Sequence, residues 1–332
     1  MTDRHAAIVG VGSHLPDRVV HNAEFEALVE TNDAWIRERT GIHERRFASE
    51  GEATSDLATG AARRALEVAG ITPDRLDLIV VATCTPDTPI PSTAVWVQRK
   101  LGATCPAFDL NSACAGFSYA LSTAGAFIGS GQAETVLVIG AEVLSRWVDM
   151  GDRATCILFG DGAGAVVLRP SPEPGLIGSV LGADGNAAEI LIIPAGGTAR
   201  PATAERVAAR ETAIRMPNGR EVFKRAVVEM ASACRALLEK SGFTPDDVDV
   251  LVPHQANARI MIAVAERLGI PEEKAVLDVA EVGNTSAASV PIALDRAWRA
   301  GRIAAGDLVL VTSFGAGLTW GANLIRWNGP TP

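Results

Sequence analysis

The chain has 332 residues, 48% hydrophobic and 21% charged, with a formal net charge of −9; it exceeds the usual size of one core, so two domains or duplicated halves sharing a core are expected. The negative balance and the lack of any Lys/Arg run exclude a nucleic-acid surface, whose affinity comes from neutralising phosphates. No run is long enough to span a bilayer, and the start MTDRHAAIVG has neither a basic region nor a long apolar run, so a cytoplasmic chain with no membrane contact is expected.

In chain order, a helical pattern over 55–69 precedes the apolar run LDLIVVAT (76–83). The short strand AFDL (107–110) then leads into a helical pattern over 117–127, and ETVLVIGAE (134–142) follows as another strand. A stretch with several Gly and Pro over 191–219 has no clean period and is expected to be a pocket wall or lid, or merely surface. Helical patterns over 221–241 and 257–268 flank the strand VDVLVPH (248–254), and strands VLDV (276–279) and GDLVLVTSF (306–314) close the series. The alternation predicts α/β layers whose strands are buried on both faces.

The series contains a repeat. LEVAGITPDRLDLIVV (66–81) and LEKSGFTPDDVDVLVP (238–253) align without a gap at an offset of 172 residues. In each copy a helix ends at a glycine (Gly70, Gly242), Thr-Pro-Asp turns the chain, and an apolar strand follows. Each half then carries a helix ending in Leu-Gly and a short strand with a central Asp. Two halves are expected, 1–173 and 174–332.

Five cysteines and five histidines are present without CxxC or HExxH spacing, so no metal site is expected. Cys114, in AFDLNSACAGFSYAL, falls where a helix should begin, and unpaired N–H groups beside the sulfur would favour thiolate; as a small core thiol it would need no such role. His254 closes a strand in VPHQANARI and suits a general acid/base or hydrogen-bond donor, or a structural histidine. Asn284, in EVGNTSAASVP, reads as a turn residue or as a donor. Together they place Cys, His and Asn after strands of related halves, where ligands gather in open α/β sheets. A thiolate nucleophile with two neutral donors suits thioester chemistry through an enolate.

With these stretches, and with TNDAWIRERTGIHERR (31–46), DRATCILFGDGAGAVVL (152–168), GREVFKRAV (219–227) and SFGAGLTWGANLIRW (313–327), the chain resembles the β-ketoacyl-acyl carrier protein synthase III family over about residues 6–327. The resemblance implies an α/β thiolase-like fold of two duplicated halves in five α-β-α-β-α layers. It implies that Cys114 accepts an acyl group from acyl-CoA and that His254 and Asn284 then stabilise the enolate from malonyl-acyl carrier protein, with no cofactor beyond these substrates. The backbone N–H groups of Cys114 and Ala316 would form the oxyanion hole, although many relatives carry glycine where this chain has Ala316. Thr31, Trp35, Arg39 and Arg153 would hold the nucleotide end of CoA, and Gly219, Phe223, Ala256 and Asn257 its pantetheine arm. Lys224, Arg225, Arg259 and Arg267 would dock the acidic carrier protein. A homodimer is implied, with Leu144, Trp147, the 191–219 stretch and, from the neighbouring subunit, the Thr88–Ile90 region walling the acyl pocket. The rivals are a polyketide-priming ketosynthase and, in another class, a non-catalytic acyl-CoA scaffold or thiol sensor.

Overall fold

The computed structural model describes residues 4–331. One sheet takes its strands from the first half: β1 (His5–His14), β4 (Leu78–Ala82), β5 (Ala107–Leu110), β6 (Val136–Glu142) and β7 (Gly162–Ser171), in the order β1-β7-β6-β4-β5, while β2 (Arg18–His21) and β3 (Glu44–Phe47) form a separate hairpin. A second sheet is drawn from β8 (Leu176–Ala183), β9 (Val250–Pro253), β10 (Leu308–Gly315) and β11 (Thr319–Arg326), in the order β8-β11-β10-β9. The two orders correspond strand for strand as far as β9.

Helices fill the remaining layers. Helices Thr54–Ala69 and Thr93–Leu101 cover the outer face of the first sheet, and Gly219–Ser241 covers that of the second, with Ala258–Leu268 packed on it. Between the sheets lie Gly116–Gly129 and Ser289–Arg299, each touching strands of both. The five layers are thus α-β-α-β-α. The central core joins Phe117, Leu121, Val290 and Leu294 from these helices to Val138 and Val166 of one sheet and Val252 and Val311 of the other. Burying apolar area on both faces of both sheets is the main stabilising term.

Both copies of the repeat adopt one conformation. Gly70 and Gly242 end their helices with φ of 64° and 75°, left-handed values that glycine tolerates best. Short 3-10 turns at Pro73–Arg75 and Pro245–Asp247 follow, then β4 and β9. Asp77 accepts from the N–H groups of Glu134 and Thr135, and Asp249 from that of Leu308, so the aspartate at each strand start receives the neighbouring strand.

The copies differ at the next strand. AFDL forms β5, whose Asp109 accepts from the N–H groups of Thr93 and Ala94 at a helix start. VLDV forms no strand, and only Ala275 bridges to Leu251. The Gln255 side chain takes over the backbone there, donating to Val276 O at 3.0 Å and accepting from Asp278 N at 2.6 Å. Asp278 pairs with Arg296 instead of capping a helix.

Candidate active site

Cys114 lies in a 3-10 turn, Ala113–Ala115, that runs into the central helix Gly116–Gly129. Asn111 Oδ1 accepts from Ala113 N at 3.1 Å, and Ala113 sits at φ 44°. The second half repeats this turn: Asn284 Oδ1 accepts from Ser286 N at 2.9 Å, Ser286 sits at φ 49°, and a 3-10 turn Ser286–Ala288 runs into Ser289–Arg299. Asparagine suits such turns because its side-chain oxygen captures the N–H two residues on. Asn284 therefore has its oxygen engaged and its amide NH₂ left to donate. Its backbone is clamped by Leu158 O and Gly160 N at 2.8 and 3.0 Å.

His254 follows β9 and is held by its N–H to Thr312 O at 2.7 Å, which prolongs the pairing with β10. Its Nδ1 lies 2.6 Å from Ser289 Oγ, which also accepts from Gln255 N. Burial alone pushes its pKa down to about 4, so the imidazole is neutral at ordinary pH.

Cys114, His254 and Asn284 converge. They are 7%, 2% and 7% exposed and line one cavity of about 130 Å³, together with Gly219, Phe223, Ala256 and Asn257. Cys114 also lines an adjoining cavity of about 530 Å³ with Cys84, Leu144, Ile193, Ile214 and Ala316. The sulfur thus stands between two spaces, one narrow with polar donors and one wide with apolar walls. The 191–219 stretch walls both, through Leu191, Met216 and Ile214, as expected from its irregular pattern. Trp147 does not line the wider cavity; it packs with Leu144, Phe159 and Ile214 behind it.

The expectation of a depressed thiol pKa is reversed. Burial pushes Cys114 up to about 11, although the Ser286 hydroxyl and the N–H groups of Cys114 and Ala316 pull the other way. The α-helix proper starts only at Gly116, and desolvation of a buried sulfur outweighs these donors. The Gly315-Ala316-Gly317 departure is accommodated. A Cβ on Gly315 would lie 2.7 Å from both N and Cβ of Cys114, and Gly317 has φ 135°. Ala316 is not among the described residues with positive φ, so a side chain is tolerated there and its N–H still faces the sulfur.

Other expected contacts group outside the cavity. The Arg39 and Arg153 guanidinium groups lie 5.8 and 4.9 Å from the Trp35 ring. Thr31 has a buried hydroxyl without a partner. Asn257 caps its helix and donates to Arg39 O at 3.1 Å, linking this cluster to the narrow cavity. A further cavity of about 710 Å³, with charged side chains such as Asp149, Asp152 and Arg215 in its wall, contains none of the three converging residues but shares Met216 with the narrow one. Lys224 and Arg267 are exposed, Arg259 lies 5.9 Å from the Phe223 ring, and Arg225 is drawn into pairs with Asp184 and Glu229. Among the described residues no cluster of His, Cys, Asp or Glu could hold a metal, and no helix is long and apolar enough to cross a membrane.

The models of two families match, 3-oxoacyl-[acyl-carrier-protein] synthase III over 108–185 and its C-terminal counterpart over 238–327. The β-ketoacyl-[acyl-carrier-protein] synthase III of Caldanaerobacter subterraneus is 50% identical over 325 residues, 97% of this chain and 98% of that one. The chain belongs to the 3-oxoacyl-[acyl-carrier-protein] synthase III family. The crystal structure of the Aquifex aeolicus family member superposes with a TM-score of 0.89 at 48% identity, covering 97% of this chain and 99% of that one. A priming β-ketosynthase of the R1128 polyketide pathway superposes at 0.91 with 38% identity, covering 99% and 98%. As a synthase III, the protein is a thiolase-fold condensing acyltransferase that initiates fatty-acid synthesis, a class that works without a cofactor.

Sequence reading missed Glu142, Ser286, Ser289 and Cys84 around the site. Glu142 carried a signal, an acid closing a run of buried apolar strand residues, whereas a serine or cysteine among small residues carries none.

Proposed function

We propose that Cys114 takes the acyl group from an acyl-CoA, and that His254 and Asn284 then stabilise the enolate formed when malonyl-acyl carrier protein loses carbon dioxide. The observation that carries this is the convergence of the three on one enclosed cavity with donors free to point into it. The Ser289 hydroxyl, 2.6 Å from His254 Nδ1, donates to that nitrogen in the proposed state and so keeps the ring proton on Nε2 as a neutral donor. Two preorganised neutral donors match the charge that develops on the thioester oxygen. The N–H groups of Cys114 and Ala316 serve as the oxyanion hole of acylation.

The pantetheine arm runs along Gly219, Phe223, Ala256 and Asn257, with the nucleotide end at Thr31, Trp35, Arg39 and Arg153. Lys224, Arg259 and Arg267 face the carrier protein, with Arg225 contributing less because Asp184 and Glu229 neutralise it. The protein acts as a homodimer in the cytoplasm, and its two copies of one unit are 1–173 and 174–332. The dimer reading is supported by Ile90, which is 88% exposed despite being apolar, and Ile90→Asp is expected to shift sedimentation to the monomer.

Incubation with acetyl-CoA or longer acyl-CoAs is expected to add one acyl mass to the Cys114 peptide; no adduct across the panel would refute the reading. A second reading, priming of a polyketide with a larger acyl group, is favoured by the 530 Å³ cavity and by the likeness to the R1128 enzyme. A preference for long or branched acyl-CoA in that panel would select it.

A further inference from the structure

Cys114 must lose a proton to attack a thioester, yet its thiol is buried and His254 carries its ring proton toward the substrate. Beside the wider cavity lies a buried polar group that the proposed mechanism does not use. Glu142, at the end of β6, is fully buried without any salt bridge among the described residues. Its Oε2 accepts from Thr85 Oγ1 at 2.5 Å and from Thr83 Oγ1 and Thr85 N at 3.1 Å. Its Oε1 accepts from Ser286 Oγ at 3.1 Å and from Cys84 Sγ at 3.3 Å, and Cys84 N reaches both oxygens. The turn Ser286–Ala288 packs on the turn Ala113–Ala115 that carries the nucleophile, Ser286 Oγ lies 3.9 Å from Cys84 Sγ, and Cys114, Cys84 and Ser286 line the wider cavity together.

We propose that Cys114, Ser286 and Glu142 form a proton relay, in which Ser286 is a catalytic residue that receives the proton of the nucleophilic sulfur and Glu142 is a positioning residue that stores it. The proposal rests on the acyl-transfer reading above. In acylation the Sγ–H proton passes to Ser286 Oγ as the serine hydroxyl proton passes to Glu142 Oε1. The sulfur attacks the thioester carbonyl, the bond to the CoA sulfur breaks, and CoA leaves as a thiolate that is protonated by water. In condensation carbon dioxide leaves, the enolate carbon bonds to the acyl carbon, and the C–S bond to Cys114 breaks with its electron pair returning to sulfur. The stored proton then travels back through Ser286, restoring thiol and carboxylate.

The titratable groups facing Glu142 are Cys84, after β4, and Cys114, after β5. Burial raises Glu142 above the usual carboxylate range, which suits a proton acceptor. Burial and the neighbouring Glu142 push Cys84 well up, so it remains a thiol that donates.

Glu142→Gln gives a test in which the alternatives have opposite signs. An ionised Glu142 repels a Cys114 thiolate, so a merely structural carboxylate predicts that Glu142→Gln makes Cys114 more reactive. The relay predicts that acylation by acyl-CoA, and alkylation of the Cys114 peptide by iodoacetamide, both slow near neutral pH by on the order of 10²-fold and recover only in alkali. Ser286→Ala cuts the link while keeping the charge, and its backbone is safe because Ala113 holds the equivalent position at φ 44°. It is expected to slow both reactions likewise. Unchanged or faster alkylation in either folded variant, with an unchanged pH profile, would overturn the relay alone. Absence of an acyl adduct in the unsubstituted chain would overturn the acyl-transfer reading and the relay with it.

Discussion

Adding one methyl group at Gly315 should separate folding from acylation. An alanine Cβ there would lie 2.7 Å from both N and Cβ of Cys114 and 3.1 Å from its Cα, against about 3.5 Å for an ordinary carbon contact, so roughly 0.8 Å of separation must be found. The obstructing atoms include the backbone of the nucleophile, which cannot swing aside as a side-chain tip could. Overpacking of this kind costs about 1–3 kcal/mol of stability. A shift of about 1 Å between reacting groups costs on the order of 10²-fold in rate. Gly315→Ala is therefore expected to fold with a lowered melting temperature and to acylate about 10²-fold more slowly, read as mass gain on the Cys114 peptide in single turnover. Ala316→Gly, which keeps the N–H and relieves nothing, is expected to stay within a fewfold of the unsubstituted rate. Full-rate acylation by Gly315→Ala would refute the idea that the contact between Gly315 and Cys114 sets the oxyanion geometry.

His254→Ala and Asn284→Ala should leave acylation intact and each slow malonyl decarboxylation by on the order of 10²–10³; equal losses in both half-reactions would contradict their assignment to the enolate. The folded state binds the His254 proton less readily than the unfolded chain, with pKa values of about 4 and 6.5. Its contribution to stability is therefore complete above about pH 6.5 and is lost as pH falls through 4, up to about 3 kcal/mol. Denaturant midpoints of the unsubstituted chain and His254→Asn should converge across that window. Trp35→Ala or Arg153→Ala should raise KM for acyl-CoA roughly tenfold with little change in kcat, since their contacts lie away from the sulfur; a fall in kcat alone would move them out of the CoA site.

Much of the frame was legible because it is local. Gly70 and Gly242, the Thr-Pro-Asp turns and the apolar runs each specify their own neighbourhood, so both repeat copies were found where they lie. The places of Cys114 and His254 followed from the strands before them, whereas Asn284 reaches the same cavity through a turn that repeats the one at Asn111 without a strand ahead of it. The missing strand at 276–279 was not legible, because the decisive partner is Gln255, a residue distant in sequence whose side chain occupies the backbone groups. The sign of the Cys114 shift was missed for a related reason: the helix start is a local feature, whereas desolvation depends on every element packed around the sulfur. Glu142 and Ser286 meet across 144 residues, and nothing in either short stretch announces the meeting.

The middle layer has a consequence for what a fragment of this protein could do. Helices Gly116–Gly129 and Ser289–Arg299 come from opposite halves of the chain, yet each packs on both sheets. A fragment ending near residue 173 would keep its nucleophile but leave Phe117, Leu121 and Val166 without the cover that helix Ser289–Arg299 and the second sheet now supply. Such a piece should aggregate when made alone and regain solubility only when its counterpart is supplied in trans. Activity would then return with reassembly itself, making complementation between two inert fragments a direct readout of whether the central layer has closed.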